Sequence, residues 1–144
     1  MSYVKIWLHC VWATKKRFPF LSADNKWLIF NHIKENAKSK GIYIDFINGD
    51  KEHIHCIISL NPDQTLSKAM QLIKGESSFW INKNGLTETN FEWSDNYYAA
   101  SFGESQLPKI RDYIMNQEEH HRRKTWDEEC DEFRRKYKFE KILG

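Results

Sequence analysis

Three cysteines, three prolines and six glycines are few for a chain of 144 residues. Cys10, Cys56 and Cys130 are far apart and odd in number, which argues against a disulfide framework or a zinc knuckle and fits a reducing compartment. No Gly/Ser-rich linker, low-complexity tract or internal repeat divides the chain. No apolar run approaches the roughly 20 residues that a membrane helix needs. The N-terminal stretch "MSYVKIWLHCVWATKKR" carries its basic residues after its apolar segment, the reverse of a signal peptide. A soluble, cytoplasmic protein without a membrane segment is therefore expected. A dominant charge is missing too: 22 Lys and Arg against 20 Asp and Glu leave a net +2. Overall charge thus does not mark a nucleic-acid binder.

Hydrophobic residues make up 40% of the chain and aromatic residues 15%, so the chain has the means to form a core. Its length suits one compact domain, residues 1–144. Charge is patterned locally: "TKKR" (14–17), "HHRRK" (120–124) and "RRKYK" (134–138) are basic clusters beside aromatic residues. Residues 3–14 are β-branched and aromatic, and predict a first strand. Ser22 caps a helix to about Lys40, with Gly41 as its stop and Leu28, Ile29, Ile33 and Ala37 as its buried stripe. Residues 42–48 and 53–60 predict a hairpin closed by "GDKE". Thr65 caps a second helix, with Leu66, Met70, Ile73, Ser77 and Trp80 on one face, and 96–102 predict a fourth strand. A third helix starts at Ser105, and a charged helix spans about 126–140. The order strand, helix, strand, strand, helix, strand is the split βαβ pattern of an α+β, ferredoxin-like fold. It predicts an antiparallel sheet with helices on one face and appended C-terminal helices.

Within "EHIHCIISL" (52–60), strand alternation puts Ile54, Cys56, Ile58 and Leu60 on the helix-facing side. His53 and His55 then share the other, uncovered side, with Cα atoms about 6.6–7 Å apart. Two imidazoles at that spacing can converge on one cation, although two ligands do not make a site. His9, Asp50 and Glu52 are all possible further donors. In the third helix, Leu107, Ile110 and Ile114 form the buried stripe, and Tyr113 and Gln117, four apart, share its flank.

The strand with His-hydrophobic-His, followed by a helix with Tyr-x-x-x-Gln, resembles the HUH endonucleases. Within them the chain is similar to the single-tyrosine transposases of the insertion-sequence 200/605 group. The similarity runs in order through "LHCVWATKKRFPFL", "GDKEHIHCIISL", "LSKAMQLIKGESSFWI", "WSDNYYAASFGESQL" and "RDYIMNQEEHHRRKTWDEE". Glu52 stands where the family more often has Asp. The resemblance implies an enzyme of a bacterial or archaeal cell that cleaves and rejoins single-stranded DNA at hairpin-bearing transposon ends, through a covalent 5′-phosphotyrosine. A domesticated relative that processes repeated extragenic hairpins would keep the same chemistry. A non-catalytic ferredoxin-like module binding single-stranded nucleic acid is the alternative of a different class. Tyr113 would be the nucleophile, and His53, His55 and Gln117 would hold Mg²⁺ or Mn²⁺. Asp50, Glu52, His120 and His121 would stand around those ligands. Family members are homodimers in which one subunit's tyrosine helix can complete the other's histidine site. Lys15, Lys16, Arg17, Lys74, Arg122 and Arg123 are candidate phosphate contacts, and Trp7, Trp93 and Tyr97 are candidate stacking surfaces for bases.

Overall fold

The computed structural model describes residues 2–117 and 125–137. Strands β1 (Trp7–Ala13), β2 (Tyr43–Asp50), β3 (His53–Ser59) and β4 (Tyr98–Phe102) form one sheet in the order β2-β3-β1-β4. Every neighbouring pair is antiparallel. Helix α1 (Lys26–Ser39) joins β1 to β2, and α2 (Leu66–Lys83) joins β3 to β4. Helices α3 (Leu107–Met115) and α4 (Trp126–Tyr137) follow the last strand. This is the expected α+β, split βαβ arrangement. Among the described residues, no helix is long and apolar enough to cross a membrane, and Cys10, Cys56 and Cys130 are all free thiols.

Strand alternation sorts the sheet into two faces. Cys10, Trp12, Ile54, Cys56 and Ile58 pack with Ile29, Phe30, Ile33 and Ala37 of α1 and with Ala69, Met70, Ile73 and Ile81 of α2. Each such fully buried aliphatic side chain is worth about 1.5–3 kcal/mol relative to exposure. The α1 stripe differs from expectation at one position, since Leu28 is exposed and Phe30 is buried in its stead. In α2, Trp80 is only half-buried and stacks on His32, while Ile81 enters the core. Thr65 caps α2 by accepting from the Lys68 amide. The capping of α1 shifts by three residues: Ser22 and Asn25 exchange hydrogen bonds, and the helix begins after Asn25. β1 starts at Trp7 rather than residue 3, because its ladders to β3 and β4 begin there.

The second face is not open, which corrects the sequence expectation. Val11, Ala100 and Phe133 cluster there beneath α4. Trp7, Ile57, Leu107, Ile110 and Ile114 cluster beneath α3. The appended helices have apolar stripes of their own, and the second face of the sheet is where they bury them. Two devices of β2 seat α3. A bulge between Ile44 and Phe46 interrupts the alternation. Asp45 then grips Arg111 of α3 through two bonds of 2.8 and 2.6 Å, while Phe46 packs into the α3 cluster. Two residues after Phe46, the buried Asn48 amide donates to the carbonyls of Ile114 (2.9 Å) and Met115 (3.1 Å). It thereby satisfies carbonyls at the end of α3 that have no partner within the helix.

Two substitutions test this scaffold. Removing the Asn48 amide by Asn48→Ala should cost about 1–3 kcal/mol in urea unfolding and speed amide exchange at the C-terminal turn of α3. At Gly49, opposite Ile54, a methyl group would run into the backbone carbonyl of His53. Gly49→Ala should therefore destabilise by about 1–3 kcal/mol and disturb the start of β3, also read by urea unfolding.

Candidate active site

His53 and His55 stand two apart on β3 and face the same way, with ring centroids 5.1 Å apart. Helix α3 brings Tyr113 over them, Gln117 follows two residues beyond its end at Met115 rather than on the helix as expected, and α4 adds Glu129. Gln117 Oε1 lies 3.1 Å from His53 Nε2. Glu129 Oε1 lies 2.9 Å from His55 Nε2, and Oε2 lies 3.3 Å from His53 Nε2. The Tyr113 hydroxyl donates to the same Glu129 Oε1 at 2.9 Å. The four residues expected to act together, His53, His55, Tyr113 and Gln117, thus meet within a single chain. They meet around a carboxylate that the sequence patterns did not single out.

His53, His55, Gln117 and Glu129 are each at most 3% exposed, so the centre is closed by α3 and α4. Tyr113 is partly buried, and that burial, reinforced by the neighbouring Glu129 charge, holds its hydroxyl far above the usual tyrosine range. Its proton therefore stays on at neutral pH until an acceptor takes it.

Behind the site runs a relay of rings. His55 Nδ1 is 2.9 Å from His9 Nε2, and His9 Nδ1 is 2.9 Å from the Tyr137 hydroxyl. His9 is fully buried, and burial, followed by the nearby His55, pushes its pKa well below the ordinary value. A neutral His9 can serve the relay in either direction. With Glu129 accepting from His55 Nε2–H, protons run from Tyr137 through His9 to His55 Nδ1. If His55 Nε2 instead turns its lone pair to a cation, His55 Nδ1–H donates to His9 and His9 donates to Tyr137. A histidine that binds metal through one nitrogen commonly fixes its tautomer by such a bond at the other. His9 therefore stands behind the ligands rather than among them.

The donor set fits a divalent cation. The ligand atoms of His53, His55 and Glu129 all lie within 4.8 Å of one another, and the Gln117 oxygen adjoins His53. Two imidazoles with hard oxygen donors suit a first-row divalent metal. Asp50 pairs in register with His53 at the hairpin end, and Glu52 contributes its carbonyl to the Thr14 amide. Neither carboxylate joins the cluster. His120, His121, Arg122 and Arg123 lie outside the described residues. Glu129 left one trace in the sequence: with Phe133 and Tyr137 it forms an i, i+4, i+8 row on α4, an acid at the head of an otherwise aromatic stripe.

The expected nucleic-acid contacts divide. Lys15 pairs with Glu92 at 2.7 Å and Arg17 with Asp127 at 2.8 Å, both at the surface. Lys16 is exposed. Lys74 donates to the carbonyls of Ser94 and Asp95. Trp7 and Trp93 are buried in the two clusters on either side of the sheet, which removes them as stacking platforms. Tyr97 stays half-buried beneath Lys74.

Known proteins of similar sequence and shape identify the family. Residues 2–117 match the family model described as "Transposase IS200 like". The match includes both histidines, Tyr113 and Gln117, and ends before Glu129. The chain is 24% identical over 115 residues to the transposase for insertion sequence element IS200 of Salmonella typhimurium, covering 76% of this chain and 74% of that one. The Salmonella typhi protein matches equally. In shape, the chain resembles a candidate transposase from Deinococcus radiodurans, with a TM-score of 0.65, 20% identity, and coverage of 81% of this chain and 95% of the other. It also resembles a REP-associated tyrosine transposase solved bound to a REP hairpin, with a TM-score of 0.63 and 19% identity, over 84% of this chain and 72% of that one. With most of its length inside the family match, the chain belongs to the IS200-like transposases, a family of DNA transposases.

Proposed function

We propose that this transposase cuts single-stranded DNA with Tyr113 and rejoins it through a covalent 5′-phosphotyrosine. The observation that carries the reading is the convergence of the Tyr113 hydroxyl, both histidine Nε2 atoms and the Gln117 oxygen on one buried carboxylate. Tyr113 Oη attacks phosphorus, the bond to the 3′ oxygen breaks, and the freed strand leaves with a 3′-hydroxyl. The phosphotyrosine conserves the energy of the broken bond, so that an incoming 3′-hydroxyl can displace the tyrosine. The proton of Tyr113 has an acceptor in place, because its hydroxyl already points at Glu129 Oε1.

His53, His55, Gln117 and Glu129 are the residues that would hold Mg²⁺ or Mn²⁺. Such an ion supplies Lewis-acid polarisation of the scissile phosphate when bound. Imidazole nitrogens favour Mn²⁺, while the oxygen donors and abundance favour Mg²⁺. His9 orients His55, and Asn48 and Asp45 fix α3 so that Tyr113 stays over the histidines. Glu129 and its helix cover these atoms, so a phosphodiester enters beside the carboxylate while Glu129 stays at the histidines and at Tyr113.

Hairpin-bearing DNA ends are the partner we propose, a reading supported by a structural neighbour that was solved on a REP hairpin. The same neighbour favours a second reading with identical chemistry, a relative that processes repeated hairpins instead of moving an element. Because Tyr113 meets His55 of its own chain, each subunit of a homodimer is expected to cleave with its own residues. A mixture of Tyr113→Phe and His55→Ala subunits should then recover no cleavage. Recovery would show that α3 exchanges between subunits.

Wild-type protein incubated with single-stranded hairpin DNA and Mn²⁺ or Mg²⁺ should yield a protein–DNA adduct on a denaturing gel. Chelation should abolish it, and so should Tyr113→Phe. An adduct that survives Tyr113→Phe would refute the nucleophile. His53→Ala and His55→Ala should remove cleavage while sparing hairpin affinity; loss of both would make the histidines structural. Glu129→Gln should weaken Mn²⁺ binding in calorimetry by about tenfold or more, and His9→Phe by about 10–100-fold, the range found for groups behind metal ligands. Unchanged Mn²⁺ affinity in both variants would remove Glu129 and the relay from the site.

A further inference from the structure

We propose that a cleft beside β4 binds one nucleotide of the single strand adjoining the cleaved phosphate, with Lys16 and Arg17 on its phosphate. The proposal rests on the nuclease reading above. The cleft arises from a mismatch in the sheet. The β1–β4 ladder runs from Trp7↔Phe102 to Val11↔Tyr98 and then stops. Pairing resumes only at an isolated bridge, Thr14↔Trp93. Between these points β1 has two residues, Trp12 and Ala13, and the facing run has four, Ser94 to Tyr97. The surplus bows outward and leaves a space of about 270 Å³. That is just below the roughly 300 Å³ at which ligand sites begin, room for the base or the sugar–phosphate of one nucleotide and too small for a duplex.

The bow is braced from below. Lys74 of α2 donates to Ser94 O at 2.6 Å and Asp95 O at 3.3 Å, and the Ser94 amide donates to Ala13 O. Ser94 and Asn96 bring a hydroxyl and an amide to the wall, the types that bond a base edge, while the Tyr98 hydroxyl there accepts from Arg134 of α4 at 2.6 Å. The opposite wall is Lys16 and Arg17. Both have left-handed backbones, with φ of 55° and 56°. For residues other than glycine that conformation costs about 1–3 kcal/mol each, and it persists where surrounding bonds enforce it, often at ligand clamps. Here the buried Thr14 enforces it: its hydroxyl donates to Phe18 O at 2.7 Å, its carbonyl accepts from the Arg17 amide, and its amide donates to Glu52 O. The strain sets two consecutive cations at one cleft.

Position connects the cleft to the chemistry. Val11 and Ala13, which line it, are the register partners of His55 and His53. Adjacent strands lie about 4.8 Å apart, so a DNA strand leaving the catalytic centre across β1 meets the cleft next. Charge connects it as well. Lys16 has no ion-pair partner among the described residues, and Arg17 is held by Asp127 in the first turn of α4. Asp127 and Glu129 sit two residues apart on one helix. Because Asp127 is exposed, a phosphate can take its place on Arg17 while Glu129 stays at the histidines.

The test is fluorescence anisotropy over a salt series with an oligothymidylate strand and a blunt DNA hairpin that has no flank. Lys16→Ala should weaken the oligothymidylate about three- to tenfold and lower its log–log salt slope by about 0.7, the increment for one phosphate contact on a single strand. The blunt hairpin should be unaffected. Asp127→Asn should tighten the oligothymidylate by releasing Arg17. Equal weakening of both DNAs by Lys16→Ala, or no effect on either, overturns the cleft. Unchanged affinity in Asp127→Asn overturns the Arg17 contact. The two readings fail separately. Wild-type protein that forms no adduct, while Lys16→Ala still selectively loses the single strand, defeats the nuclease and leaves the cleft. Adduct formation with unaltered binding by Lys16→Ala does the reverse.

Discussion

The Glu129 carboxylate is the group on which the arrangement of this protein depends. A buried carboxylate is costly unless charge and hydrogen bonds compensate it, and Glu129 is only 3% exposed. Its compensation comes from three side chains on two other elements: His53 and His55 of β3 and Tyr113 of α3. That interaction fastens α4 across a sheet face which would otherwise present two bare imidazoles. Aromatic packing joins it, with Phe133 set on Val11 and Ala100 and, like Tyr137, against the His9 ring. The polar anchor and this stripe together fix where α4 lies.

A site held in this way is organised before any cation or DNA arrives. Alternation on β3 aims both histidines at one point. The bulge at Asp45 and the Asn48 amide fix to β2 the helix that bears Tyr113 and leads into Gln117. The ring relay through His9 to Tyr137 ties the tautomer of His55 to α4 as well. Catalytic geometry usually depends on such supporting bonds as much as on the groups that touch substrate. Here the supports come from β1, β2 and α4, so that few sheet elements are indifferent to the site.

What could be read from the sequence follows physical range. Alternation and helical periodicity are local, and they placed all four strands, the two connecting helices and the shared direction of His53 and His55. The Tyr113/Gln117 pair was legible through its family spacing. Contacts between distant elements were not. An unaided strand pattern cannot tell an open sheet face from one that a later helix covers, so the histidine face was expected to be exposed. Glu129 belongs to the same class, since an acid among the many acids of "WDEECDEF" reads as solvated until its helix is docked. The bulge in β2 leaves no sequence signature, because "IYIDFIN" alternates acceptably without it. His9 looked like a ligand without a motif because its role, turning His55, leaves no spacing rule.

The family match ends at residue 117, while the carboxylate that closes the site comes from residue 129. The chemistry-bearing residues and the helix that covers them therefore belong to different parts of the chain. Two acids of α4 hold it here, Glu129 at the histidines and Asp127 at Arg17, beside the bonds of Tyr137 to His9 and Arg134 to Tyr98. The first contact is buried and strong, whereas the second is exposed and worth at most about 1 kcal/mol. A phosphate approaching Arg17 thus meets the weaker hold first, and the charge it brings to the surface stands close to the carboxylate in the deeper site. Of two acids two residues apart, Asp127 at the margin of α4 is therefore the more readily displaced, and Glu129 the more firmly held.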